Sequence, residues 1–155
     1  MRNVRRSVDH EVLVRMLCEK PHPISQKSLF PTMRELICFA AALGYQQDRR
    51  IPLSGKTHEI DARIIENSEA AIDMVYLVAL AGIRDVHILM PDREDDAVTV
   101  FEEYANGGLA ILEEWMAATP GDIDGDLALL NGFRANGMLG NTPPSVDTAI
   151  SDVTF

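Results

Sequence analysis

The sequence predicts an all-α, single-domain helical bundle of five to seven helices, with room for one short strand pair around residues 57–65. Three observations predict it. Apolar residues recur at helical spacing over 8–19, 32–43, 67–81 and 93–118. Helix start and stop signals flank these stretches. A chain of 155 residues, 46% hydrophobic and 25% charged, has the size and composition of one globular unit with its own core.

The elements follow in order. In residues 8–19, Val8, Val12, Met16 and Glu19 recur three or four apart, with Leu13 and Leu17 beside them, which predicts an amphipathic helix. Ser7 suits its N-cap, and Asp9 and Glu11 suit the positive end of its dipole. The prolines of PHPISQKS (21–28) stop it. Thr32-Met33-Arg34-Glu35 has capping-box spacing, and the apolar stripe after it predicts a helix over 32–43 with Gly44 as its C′ residue. Residues 58–65 alternate Ile60, Ala62 and Ile64 against Glu59, Asp61 and Arg63, and fit a strand or a helical turn equally.

Asn67 or Ser68 can cap a third helix through Ala81. After Asp73 it is apolar nearly all round, which predicts a central, buried helix. A short helix at 84–89 ends at Pro91. Residues 93–118 read as one long helix or two abutting ones. Gly107-Gly108 costs roughly 1 kcal/mol per glycine in a helix interior, so a kink, a break or a close helix crossing is expected there. A last short helix covers about 124–133, completing a helical domain over 1–135. From Asn136 to Phe155 the chain is rich in Gly, Pro, Ser and Thr with no helical period, and is expected to be a flexible tail or a segment that orders on a partner.

Charge is distributed unevenly. Residues 1–56 hold ten Lys/Arg against five Asp/Glu, and residues 57–155 hold four against nineteen, so a +5 part and a −15 part make up the net −10. The acidic total argues against a general nucleic-acid coat. It leaves room for backbone contact by a basic set of Arg2, Arg5, Arg6, Arg15, Arg34, Arg49, Arg50 and Lys56, should these converge. The bland alternative is that they pair with the protein's own acidic residues. Glu102, Glu103, Glu113 and Glu114 form an acidic ridge that could dock a basic partner surface, with Trp115 as an anchor or as a core residue.

Signals for chemistry are weak. Ser54-Gly55-Lys56-Thr57 looks like the end of a P-loop, but Arg50 stands where the first glycine belongs. Asp122–Asp126 looks like the start of a calcium loop, yet Leu127 and Phe133 occupy the positions that need Gly and Glu. The four histidines share no metal spacing, and neither Cys18 nor Cys38 has a nucleophile context. No cofactor, no metal and no catalytic residue is expected, and the enzyme question leans to no. MRNVRRSVDHEV lacks an apolar h-region and no stretch spans a membrane, so a cytoplasmic protein is expected.

FPTMRELICFAAALGYQQDRRIPL (30–53) and VFEEYANGGLAILEEWMAATPGD (100–122) together resemble the small accessory proteins associated with Dnd systems, the DNA phosphorothioation loci. The likeness spans roughly residues 5–133. It implies company with modification or restriction proteins in bacterial antiphage defence, and it brings no catalytic residues. Combined with the charge split, it leads to an expected non-enzymatic accessory subunit. The basic face would contact DNA backbone, and the acidic face would hold another defence-system protein or a second copy of the chain. A pure protein–protein adaptor without DNA binding and a divergent metal-dependent nuclease subunit are the alternatives.

Overall fold

The computed structural model describes residues 1–139. It is a mostly helical domain of six α-helices and one two-stranded antiparallel sheet. Strand β1 (Val4–Ser7) pairs with β2 (Thr57–Ile60) in the register Val4–Ile60, Arg5–Glu59, Arg6–His58 and Ser7–Thr57. The helices are α1 (Glu11–Cys18), α2 (Met33–Gln46), α3 (Ala62–Glu66), α4 (Glu69–Ile83), α5 (Glu94–Ala118) and α6 (Asp126–Ala135). Three 3₁₀ turns, Val8–His10, Val86–Leu89 and Pro91–Arg93, complete the connections. Among the described residues no helix is long and apolar enough to cross a membrane.

The central element is α5, which packs against α2, α4, α6 and β1. It runs unbroken through Gly107-Gly108. These glycines serve a close crossing. A Cβ on Gly108 would lie 1.8 Å from the Ala40 carbonyl oxygen, and one on Gly107 would lie 1.8 Å from that of Arg49. Facing them, a Cβ on Gly44 would lie 2.0 Å from the Tyr104 carbonyl oxygen. Gly44 is therefore inside α2 and not its C′ residue, and the helix continues to Gln46. Backbone contact at this crossing outweighs the local cost of glycine in a helix.

The local caps form. Thr32 accepts from the Glu35 amide and Glu35 answers at the Thr32 amide, closing the box. Ser68 caps α4, and Ser7 accepts from Asp9. Asp122 accepts from the amides of Asp124, Gly125 and Ala128, so the acidic loop before α6 is a capping loop.

The short strand pair expected around residues 57–65 forms, and two other expectations, on α1 and α4, need correction. Residues 58–65 divide into the strand β2 and the helix α3, because the Asp61 carboxylate accepts from the Arg63 amide and starts a turn. α1 buries Leu13, Val14 and Leu17, and the predicted stripe residue Val12 is 84% exposed, because α2 lies on the other face. α4 is not central: it buries Ala71, Val75, Val78 and Ala79 but leaves Leu77 59% exposed. At the start of the expected tail, the Met138 amide donates to the Phe133 carbonyl. The tail's remainder, residues 140–155, lies outside the described residues.

Candidate functional site

The N-terminal arginines are placed by β1. One register step decides their fate: Val4, Arg6 and Ser7 are buried while Arg5 faces out. The strand lies beside α5, and Glu102 of that helix is 1% exposed beneath it. Arg2 Nη1 donates to Glu102 Oε1 at 2.6 Å and Arg2 Nη2 to Oε2 at 3.0 Å. The Arg5 amide donates to Oε1 at 2.7 Å, and Arg5 Nη2 donates to Oε2 at 3.1 Å. Thr99, one turn earlier, accepts from Arg2 Nη2 at 3.0 Å. Hydrogen bonding to Glu102 raises the Arg2 guanidinium above its ordinary value, against the effect of burial.

Further along α5 the pattern repeats. Arg50 Nε donates to Glu103 Oε2 at 2.5 Å, and its guanidinium lies 5.8 Å from the Tyr104 ring centroid. Arg49 Nη1 pairs with Glu114 Oε1 at 2.7 Å, which holds the Glu114 carboxyl below its usual range. On the sheet side, Glu11 receives Arg6 Nη2 at 2.6 Å and Arg15 Nε at 2.9 Å, and these two hydrogen bonds, Arg6 first, lower the Glu11 carboxyl. Arg34 Nη1 donates to the Ile64 carbonyl. Lys56 is exposed and has no carboxylate partner among the described residues.

Six of the eight residues of the predicted basic set are therefore engaged by carboxylates of the chain itself. Arg2, Arg5, Arg49 and Arg50 lie along α5, each on a carboxylate of the predicted acidic ridge. Arg6 and Arg15 share Glu11, Lys56 lies at the adjoining end of the sheet, where its carbonyl accepts from the Val8 amide, and Arg34 is bonded to α3. On the acidic side, the Glu102 side chain is 1% exposed and that of Glu103 is 16% exposed. Glu113 and Glu114 stay open, at 44% and 60%. Trp115 is half-buried, edge-on to Phe133 at 5.6 Å, and α6 approaches closely enough that only glycine fits at 132 under its ring.

Sequence reasoning missed two participants. Buried His10 lies 3.0 Å through Nε2 from Asn106 Oδ1, and 2.9 Å through Nδ1 from Glu113 Oε1 without hydrogen-bond alignment. Asn106 Nδ2 donates to the Ile51 and Pro52 carbonyls, tying the loop after α2 to α5. The available signal was Asn106 itself, which at helical spacing continues a polar line of Thr99, Glu102 and Glu113 along α5. The Ser54–Thr57 loop borders a cleft of about 280 Å³ that also contains Glu102 and Glu103, whose charges oppose a phosphate. Both thiols are half-buried, and burial pushes each up to about 11, so they are poor nucleophiles. Among the described residues no three His, Cys, Asp or Glu side chains are grouped to hold a metal.

Residues 3–141 match the model of a family described as DNA sulphur modification system-associated protein 4. No curated protein and no solved structure matches the chain.

Proposed function

Because the chain belongs to the DNA sulphur modification system-associated protein 4 family, we propose that it is a non-enzymatic protein–protein adaptor of such a system, acting in the cytoplasm in antiphage defence. The observation that carries this is the internal pairing along α5. Arg2 and Arg5 meet Glu102, Arg50 meets Glu103 and Arg49 meets Glu114. These arginines hold the N-terminal strand and the loop after α2 onto the central helix. For Arg2, Arg5 and Arg50 a phosphate backbone would have to compete with buried or part-buried carboxylates. The partner-facing end of the acidic ridge is then Glu113, Glu114 and the edge of Trp115, beside a polar cleft of about 290 Å³ that includes Gln47 and Asp48. The partner is another protein of the same system that presents a basic surface.

DNA contact is the second possibility, carried by Arg15, whose side chain is 66% exposed despite its pairing, and by unpaired Lys56. Two measurements separate the two. Pull-down against the other proteins of the system, with Glu113→Lys and Glu114→Lys, should lose the partner while the fold remains. Gel shifts with sulphur-modified and unmodified duplexes across a salt series should show no binding. A salt-dependent shift lost in Arg15→Glu with Lys56→Glu would overturn the adaptor and establish DNA contact. Metal-stimulated cleavage by the purified protein would overturn both.

A further inference from the structure

We infer that the outer face of α4 is an interface between two copies of this chain, formed by an antiparallel α4–α4 pair about a twofold axis. This rests on neither possibility above. α4 is apolar nearly all round, yet only its inner side, Ala71, Val75, Val78 and Ala79, is buried. The opposite side carries exposed Asp73 and Leu77 and part-buried Leu80, at steps of four and three, and Arg84 follows as the C-cap residue four positions after Leu80. At about 100° per residue the three helical positions fall within one narrow stripe, the seam spacing of paired helices, and Arg84 stands at its C-terminal end. Leu77 is 59% exposed. Past the helix end, Val86 and Leu89 are 68% and 43% exposed, three apart and so on one face of their 3₁₀ turn. A contiguous apolar surface of this kind marks an interaction site.

The charges identify the occupant. Asp73 and Arg84 have no ion pair and no side-chain hydrogen bond among the described residues, whereas nine of the fourteen Lys/Arg have a carboxylate partner. The two stand at opposite ends of the leucine pair. A twofold axis beside the middle of the Leu77–Leu80 turn sets each Leu77 against the other copy's Leu80, and in the same register each Arg84 against the other copy's Asp73. The stripe is thus self-complementary in both shape and sign, as an isologous contact requires. A partner of a single charge would answer only one end. Arg84 also holds φ 59°, where glycine would be free of strain, so a side chain is kept at a position that disfavours one.

The test is sedimentation velocity on the full chain at physiological salt, over about 1–300 μM, the range in which small interfaces associate. The expected result is a shift from one chain to two. Asp73→Arg and Arg84→Asp should each weaken association at least about tenfold, since each places like charges across both contacts. Mixing the two variants should restore it, because every contact in the mixed pair again joins opposite signs. Leu77→Glu, at an exposed position that does not bear on the fold, should leave a monomer. A monomer throughout the range in the unaltered protein, association indifferent to these variants, or a mixture no tighter than the separate variants would each overturn the inference.

Discussion

Glu102→Ala is the most informative single change in this protein. The carboxylate is 1% exposed and accepts from Arg2 Nη1 and Nη2 and from the Arg5 amide and Nη2, at 2.6, 3.0, 2.7 and 3.1 Å. Removing one partner of a fully buried ion pair costs roughly 3–5 kcal/mol, because the other charge is left without compensation. Here the arginines can return to water, since their side chains are 27% and 44% exposed. That discounts the cost toward the value of exposed pairs. The Arg5 amide cannot swing out in the same way, because β1 holds it, and an orphaned buried donor costs about 1–3 kcal/mol. The sum is a loss of about 2–3 kcal/mol, a large share of the roughly 5–15 kcal/mol that a domain has. Urea unfolding followed by Trp115 fluorescence measures it, and amide exchange at Arg5 should accelerate more than exchange in α2. A loss below about 0.5 kcal/mol with an unchanged urea slope would refute the claim that Glu102 holds the N-terminal strand to α5.

Gly108→Ala should destabilise by about 2 kcal/mol or more in thermal melts, although helix propensity alone predicts a gain of roughly 1 kcal/mol, because the new methyl group collides with the Ala40 carbonyl; a rise in Tm would show that the crossing can yield. Cys18 and Cys38, pushed up to about 11 by burial, should react slowly with a thiol reagent at neutral pH and at full rate in denaturant. Because their folded values lie above the ordinary thiol range, they contribute stability that is complete below about pH 8.5 and is lost as pH rises toward 11, which alkaline melts of Cys→Ala variants check. Asp61, held at about 2 chiefly by its hydrogen bond from the Arg63 side chain, works in the opposite direction: its contribution is present above the ordinary carboxylate value and is lost as pH falls toward 2. Asp61→Asn should flatten that part of the acid-unfolding profile, and an unchanged profile would show that the pair is inconsequential.

Helices were legible wherever the signal was local. The α2 start is written in four consecutive residues, Thr32 to Glu35, whose hydrogen bonds need nothing beyond themselves. The Ser68 cap and the Asp122 capping loop are of the same kind. β1 was not legible, since Val4–Ser7 offers a single large apolar side chain and its partner strand lies some fifty residues away. The role of Gly44 was misread for a similar reason. A glycine after an apolar run resembles a helix stop, and only the approach of Tyr104 from another helix makes it an interior contact.

Sequence alone determined the helical class, most caps, the resemblance to Dnd-associated proteins and an uneven charge distribution. Tertiary structure decided what that distribution is for. The +5 and −15 parts do not form two faces: the Gly44–Gly108 crossing and the β1–β2 pairing carry the N-terminal arginines and the loop after α2 onto the carboxylates of α5. Ion pairing depends on through-space distance and on how far burial lowers screening by water, and neither follows from spacing along the chain. The exposed outer stripe of α4 has the same origin. Leu77 reads as core in the sequence, and only the packing of the other helices on α5 left it facing outward.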